Sequence, residues 1–339
     1  MFLRTWPNKS EIEIDRDSRE ALFTPLFSVI IPFFDRAATL AKTLDSILQQ
    51  SYRPIQVILV NDGSTDSSGT IARKWAKTTV QDDSLQVDYL EQDNQGAAAA
   101  RNAGSRLVRG SYVQFLDSDD TLHPERLERL VECFGTSGAE LIQTGFSRVD
   151  FDTGRIIETR LGRVDDTQRN LAFRGLLWAN TLRTAFSAEL VKRLGPWRTD
   201  MVCFEDREYV ERAVMESSSS ATLPEVLATA HRGRNDQKSN HVKSREGRVC
   251  RIACEESLAK RADLPDMSEV ALSEFRSRIY ALGFRCRARG WPDLAARCGV
   301  LADSVEADLD WRGRRRHWVF RRGATAARLY RLAGSLKRF

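Results

Sequence analysis

Between Phe27 and about Ala139 the chain alternates two kinds of apolar pattern. Four short segments predict strands: Phe27–Ile31, β-branched and stopped by Pro32; Ile55–Val60, a buried run; Leu85–Leu90, which alternates; and Ser111–Leu116. Between them apolar residues recur at helical spacing. Leu40, Leu44, Ile47 and Leu48 predict one helix; Ile71 and Trp75, behind a capping Asp66, predict a second. An Ala-rich stretch from Gly96 to Val108 predicts a third, and Leu127, Leu130, Val131 and Phe134 a fourth. Strands separated by helices must return by crossovers, which makes them parallel neighbours in one sheet. Ligands of such sheets bind beyond the carboxyl ends of the strands. Asp35, Asp62, Asp117 and Asp119 fall at those ends, so the pattern predicts one shared site.

Past Leu141 the alternation is lost. Up to Arg232 the readable features are a short helix over Phe186–Leu194, closed by Gly195-Pro196-Trp197, and a helical stretch opened by Phe204-Glu205-Asp206. That stretch carries Tyr209, Val210, Ala213 and Val214, and Ser217–Ser220 reads as a loop. From about Asn240 the sequence is helical and Arg-rich, with Phe275, Ile279 and Leu282 on one face.

A chain of 339 residues with 42% hydrophobic and 29% charged residues has room for one large α/β domain and a smaller addition. No apolar run reaches the length of a membrane span, and the first 24 residues lack a signal-peptide core; the expectation is a cytoplasmic protein. Six scattered cysteines without a C-x-x-C pair predict reduced, buried thiols rather than disulfides or zinc. The net charge of +5 hides an asymmetry. Trp311–Phe339 holds nine Arg, one Lys and no acid, a charge of +10 that leaves −5 for the rest. Trp311, Trp318, Phe320, Tyr330 and Phe339 are interleaved with these cations. Aromatics with cations suit an anionic membrane surface at the inner face of the membrane, or a face packed on the domain. Nucleic acid is not expected.

The densest chemistry is Phe115-Leu116-Asp117-Ser118-Asp119-Asp120, an apolar run ending in three carboxylates. Crowded carboxylates repel unless a cation or solvent offsets them, and hard divalent ions that also hold phosphates suit such oxygens. The plainer alternative is an acidic turn, with Asp120 as a helix cap before Pro124. No G-x-G-x-x-G follows the first strand and no G-x-x-x-x-G-K-S/T occurs, which argues against a nicotinamide or P-loop site. H-E-x-x-H and G-x-S-x-G are also missing.

Four blocks occur in order: Ser28-Val29-Ile30-Ile31-Pro32; Val60-Asn61-Asp62-Gly63-Ser64-Thr65-Asp66; Asn94-Gln95-Gly96 with Ala100-Arg101-Asn102-Ala103-Gly104; and Phe115 to Asp120. Together they resemble the glycosyltransferase family 2 domain, over roughly Phe27 to His231 and fading after about Ala139. The resemblance implies an α/β GT-A fold, with a mainly parallel central sheet flanked by helices, plus a C-terminal helical extension. The expected organisation is an N-terminal extension over 1–26, a catalytic domain over 27–235 and a helical region over 236–339. It further implies inverting transfer of a sugar from a nucleotide diphosphate, UDP before dTDP or GDP, to an acceptor hydroxyl on a glycan, a lipid-linked molecule or another compound. The setting would be polysaccharide or glycoconjugate synthesis.

The same resemblance assigns roles. Asp119 and Asp117 would hold Mn²⁺ or Mg²⁺ against the diphosphate. Asp62 would meet the nucleobase, Arg101 the base or phosphates, and Pro32 the nucleoside through backbone. Asp206 would be the base that takes the acceptor proton, with Glu205 orienting it. Relatives carry an aromatic-Arg-x-His element after this helix. The match here, His231-Arg232-Gly233-Arg234, puts Arg where His is expected; Arg234 could clamp the diphosphate but cannot ligate a metal, and His231 is a substitute ligand. Two other classes compete. A nucleotidyltransferase shares the sheet and metal carboxylates but opens with a Gly-rich basic segment that Pro32-Phe33-Phe34-Asp35 lacks. A non-catalytic scaffold would have kept the fold alone.

Overall fold

The computed structural model describes residues 24–79, 84–164, 166–177, 179–232, 242–262 and 267–305. Its first part follows the predicted alternation: β1 (Phe27–Phe33), α1 (Leu40–Leu48), β2 (Ile55–Asn61), α2 (Ser68–Thr78), β3 (Leu85–Glu91), α3 (Ala97–Ser105) and β4 (Tyr112–Phe115). These strands run parallel in the order β3-β2-β1-β4. β1 and β2 are buried along their whole length, which is why they read as mostly apolar runs rather than alternating ones.

Packing of α3 onto this sheet depends on Gly104. A Cβ there would lie 2.6 Å from Ile30 Cγ2 and 3.2 Å from Val60 Cγ2. The helix therefore lies close over β1 and β2, and Arg101, one turn earlier, is carried to the strand ends.

The second part departs from the alternation. β5 (Asp120–Leu122), α4 (Arg126–Ser137), β6 (Leu141–Asp150), β7 (Ile156–Arg160), α5 (Gln168–Arg174), β8 (Thr184–Ser187), α6 (Ala188–Leu194), α7 (Glu205–Glu216) and β9 (Ser220–Arg232) follow. The sheet continues from β4 as β8-β6-β9-β5, with β7 on β6. β8 is antiparallel to both β4 and β6, while β6 and β9 are parallel. The helix expected over Phe186–Leu194 thus begins at Ala188. Phe186 is in a strand, and the Ser187 side chain accepts from Leu190 N (3.1 Å) to start α6. Ser220, expected in a loop, is the first residue of β9.

Three helices close the described chain: α8 (Arg245–Ala259), α9 (Glu269–Ala288) and α10 (Pro292–Asp303). Phe275, Ile279 and Leu282 of α9 are buried, as their spacing predicts. Together with α3 and α5–α7 the three helices build a core on one face of the sheet; α1, α2 and α4 cover the other. No helix among the described residues is long and apolar enough to cross a membrane. All six cysteines are buried and unbridged. Arg234 and the basic segment 311–339 lie outside the described residues.

Candidate active site

The carboxyl ends of β1, β2 and β4 meet at one edge, and the loops leaving them are tied together. After β1, Asp35 takes a left-handed conformation (φ 48°). Its Oδ1 accepts from Thr65 N (2.7 Å) and Asp66 N (3.2 Å), in the loop after β2. Asp66 returns the contact, accepting from Ala37 N (3.0 Å) and, as the sequence predicts for a cap, from Ser68 N (2.8 Å). Pro32 is buried near the end of β1, in register with Val60.

Asp62, just past β2, is only 3% exposed. Its Oδ1 accepts from Gln92 Nε2 (2.7 Å) and Gln95 N (3.0 Å), and its Oδ2 from Gly96 N (2.8 Å). Three donors keep a buried carboxylate satisfied and fix the loop leading into α3. Gly63 makes the turn possible: φ is 75°, and a Cβ would stand 2.8 Å from Asn94 N.

Beyond β4 the chain presents Asp117, Asp119 and Asp120. One carboxylate oxygen from each lies within 4.8 Å of the others. Asp120 is the deepest. Burial first, then the Asp119 and Asp117 carboxylates, push it well above the usual carboxylate range. It does not cap a helix. It opens β5, pairs with Ala230, and accepts from His231 N (3.2 Å), whereas α4 starts only at Arg126. The cap expectation failed because Asp120 is held by a strand distant in sequence. Three acidic side chains converging with one of them forced toward its neutral form is what a divalent cation would relieve, so the donor set fits such an ion.

Arg101 crosses the site. Its side chain is 1% exposed. Nη2 donates to Asp117 Oδ1 (2.6 Å), and Nη1 stands 3.6 Å from Glu205 Oε1. Burial works against its charge, but Asp117, then Glu205 and Asp206, hold the guanidinium above its ordinary range. Its Nε and Nη1 are buried without a hydrogen-bond acceptor.

Glu205 and Asp206 form the first turn of α7, where acids favour the helix dipole; Phe204 before them is left-handed (φ 65°). Asp206 Oδ1 accepts from Arg207 N (2.7 Å). The Trp197 ring stacks on Tyr209 of α7 (centroids 3.9 Å, 2°) and lies 4.7 Å under the Arg101 guanidinium. Asn102 then fixes the Trp197 backbone twice, accepting from its N–H (2.7 Å) and donating to its carbonyl (3.0 Å). Asn102 had appeared only as part of a motif; an Arg-Asn pair on one helix turn gives no sign that its second member anchors a loop 95 residues away.

Arg36 was also missed. Its Nε lies 3.8 Å from Asp119 Oδ2. His231 sits behind the carboxylates: its Nε2 is 3.1 Å from Thr121 Oγ1, and burial, then Lys42, lowers its pKa. A cleft of about 360 Å³ elsewhere, between residues 163–169 and 217–222, contains none of these side chains.

The fold is the GT-A fold expected from the sequence. Residues 28–187 match the Glycosyl transferase family 2 model. "Glycosyltransferase GlyA" of Streptococcus pneumoniae is 41% identical over 103 residues, 30% of this chain and 14% of that protein. The chain spans well under two thirds of the length of the first curated relatives it matches. Among solved structures, S. aureus TarS 1–349 in complex with UDP-GlcNAc superposes with a TM-score of 0.66 at 17% identity, covering 83% of this chain and 81% of that one. The mannosyltransferase PcManGT of Pyrobaculum calidifontis, in complex with GDP-Man and Mn²⁺, gives 0.53 at 20% identity, covering 94% and 82%.

Proposed function

We propose that the protein is an inverting glycosyltransferase that moves a sugar from a nucleotide diphosphate, a uridine diphosphate first, to an acceptor hydroxyl. The observation that carries this reading is the buried Arg101 side chain, which joins Asp117 of the carboxylate cluster to Glu205 of the acidic pair. Residues 117–120 and 205–206 are far apart in sequence, and an acidic turn and a helix start have no structural need of each other. A transferase needs both in one place.

In this reading Asp119 and Asp117 would hold Mn²⁺ or Mg²⁺, with Asp120 behind them. When bound, the cation would supply charge stabilisation for the departing diphosphate. Arg101 and Arg36 add fixed or nearby positive charge on the same side. Asp62 faces the nucleobase, and Pro32 lines the nucleoside. Asp206 takes the acceptor's proton as the new glycosidic bond forms; Glu205, tethered to Arg101, orients that turn. Transfer with inversion follows from attack opposite the leaving diphosphate. Two neighbours carry UDP-GlcNAc and GDP-Man with Mn²⁺, which supports a nucleotide-sugar donor. The acceptor belongs to polysaccharide or glycoconjugate assembly, glycan or lipid-linked, at the inner face of a membrane. His231 as a further ligand and Arg234 as a diphosphate clamp remain part of this reading.

Calorimetric titration of UDP with and without Mn²⁺, beside Asp119→Ala, tests it. Metal-dependent binding that the variant abolishes supports the donor site. Binding of GDP or dTDP instead would move the donor class and remove the role of Asp62. Binding without turnover of any UDP-sugar would favour the scaffold, and absence of all nucleotide binding would sink the transferase reading.

A further inference from the structure

The three C-terminal helices are rich in arginine, and most of it is internally neutralised. Arg251 and Arg278 share Glu255, while Arg261 pairs with Glu216, Arg276 with Asp303, Arg297 with Glu256 and Arg245 with Asp293. At the end where α8 starts and α9 finishes the pattern stops. Arg248 and Arg285 have no ion pair among the described residues, and Arg248 Nε is buried without a hydrogen-bond partner. Arg289 donates from Nη1 to the Lys243 carbonyl and lies over Trp291 (5.6 Å), which ties the last turn of α9 to the residue before the Ser244 cap.

These guanidinia crowd one another. Burial, then Arg289 and Arg285, hold the Arg248 pKa below its ordinary range. Asp293, in the first turn of α10, is already held by Arg245 (2.5 Å). Among the described residues, like charges are gathered here without the ion pairs that neutralise the rest of the bundle.

We propose that Lys243, Arg248, Arg285 and Arg289 form a docking surface for an anionic phospholipid bilayer. Three observations select a bilayer as occupant. The cations are spread over the ends of two helices rather than closed around a pocket, which suits a sheet of headgroups. The chain beyond Val305 adds nine Arg and one Lys without an acid over 311–339. It leaves the described structure beside α9, because Asp303 at the end of α10 is bonded to Tyr280 and paired with Arg276. Arg276 is nine residues from Arg285, or about 14 Å along the helix. The patch also adjoins the candidate active site. Cys250 and Cys254 of α8 pack on Met201 and Cys203, in the loop that delivers Glu205 and Asp206, and Val202 in that loop is 55% exposed. A protein docked by this end would hold the mouth of the site close to acceptors in the membrane. That consequence rests on the transferase reading; the docking does not.

The test is co-sedimentation of the full chain with phosphatidylcholine vesicles, with and without phosphatidylglycerol. Each basic residue near an anionic surface strengthens binding roughly fivefold. The triple variant Arg248→Ser/Arg285→Ser/Arg289→Ser should therefore weaken binding to anionic vesicles by on the order of 100-fold. Arg285→Ser alone, at an exposed position, should weaken it roughly fivefold without affecting folding. UDP titration and thermal melting of the same samples should be unchanged, which separates failure of docking from failure of the donor site. Equal binding to neutral vesicles, undiminished binding by both variants, or complete displacement by an oligonucleotide of equal charge would overturn the proposal, the last in favour of a nucleic-acid surface.

Discussion

The two sides of the candidate site are held by different forces. On the donor side, the ends of β1 and β2 are fixed by short loops whose backbone N–H groups bind Asp35, Asp62 and Asp66. On the acceptor side, buried charges sit within α7 and between α8 and α9. Arg207 pairs with Glu211, and Glu255 of α8 receives Arg251 (2.5 Å) and Arg278 (2.7 Å). Glu211 and Glu255 are 2% and 1% exposed, so these pairs are removed from water. Backbone donors are supplied by any sequence that makes the turn. Buried ion pairs need particular partner side chains, and loss of one leaves the other stranded. The donor side should therefore yield locally to mutation, and the acceptor side globally.

Asp206→Asn should show the largest functional effect. Transfer should fall by about 10²–10⁴-fold while UDP affinity stays unchanged, as read by steady-state rates beside calorimetry. Retention of rate would remove Asp206 as the base and break the division of labour.

Glu255→Gln should show the largest effect on stability. It leaves Arg251 and Arg278 without their shared carboxylate, which typically costs about 3–5 kcal/mol. Urea unfolding measures this, with UDP affinity of the folded protein unaltered. The same residue gives a pH dependence. Burial opposes its charge, but Arg278, Arg251 and Arg207 outweigh it and lower the pKa from 4.5 to about 2. A depressed folded-state pKa contributes stability above the unfolded value and loses it as pH falls. Urea midpoints should thus drop between about pH 4.5 and pH 2, more steeply in the parent than in Glu255→Gln.

Asp62→Ala strands the N–H groups of Gln95 and Gly96, for about 1–3 kcal/mol of stability, and should weaken UDP more than it weakens the fold. Arg73→Ala is the smallest change. Its ion pair with Glu91 (2.8 Å) is about half exposed on both sides, and such pairs are worth about 0–1 kcal/mol. A larger loss would mean that the donor side, too, depends on side-chain charge.

Legibility in the sequence follows the same division. The four parallel strands and their helices were readable because β1, β2 and β4 are mostly apolar, β3 alternates, and each helix repeats its face every few residues. Asp35, Asp62, Asp117 and Asp119 were readable as site candidates because they sit at the ends of those runs; Arg101, inside α3, was readable only through the resemblance of its motif. The mixed half of the sheet was not, because β5, β6, β8 and β9 take partners by long-range pairing: Asp120 meets Ala230, and Gln114 meets Ala185. Asp120's place among the carboxylates, Asn102's hold on Trp197 and the Glu255 network depend on such pairings.

The sequence by itself determined the parallel core, the acidic strand end and the order of the blocks, because neighbours in the chain are enough to specify a strand, a helix face or a turn. Tertiary structure decided that Asp117 and Glu205 share one arginine, and that Asp120 is pressed between two like charges. It also decided that Arg248 and Arg285 have no ion pair among the described residues. Ion pairing and desolvation depend on distance through space, and only the folded chain sets those distances.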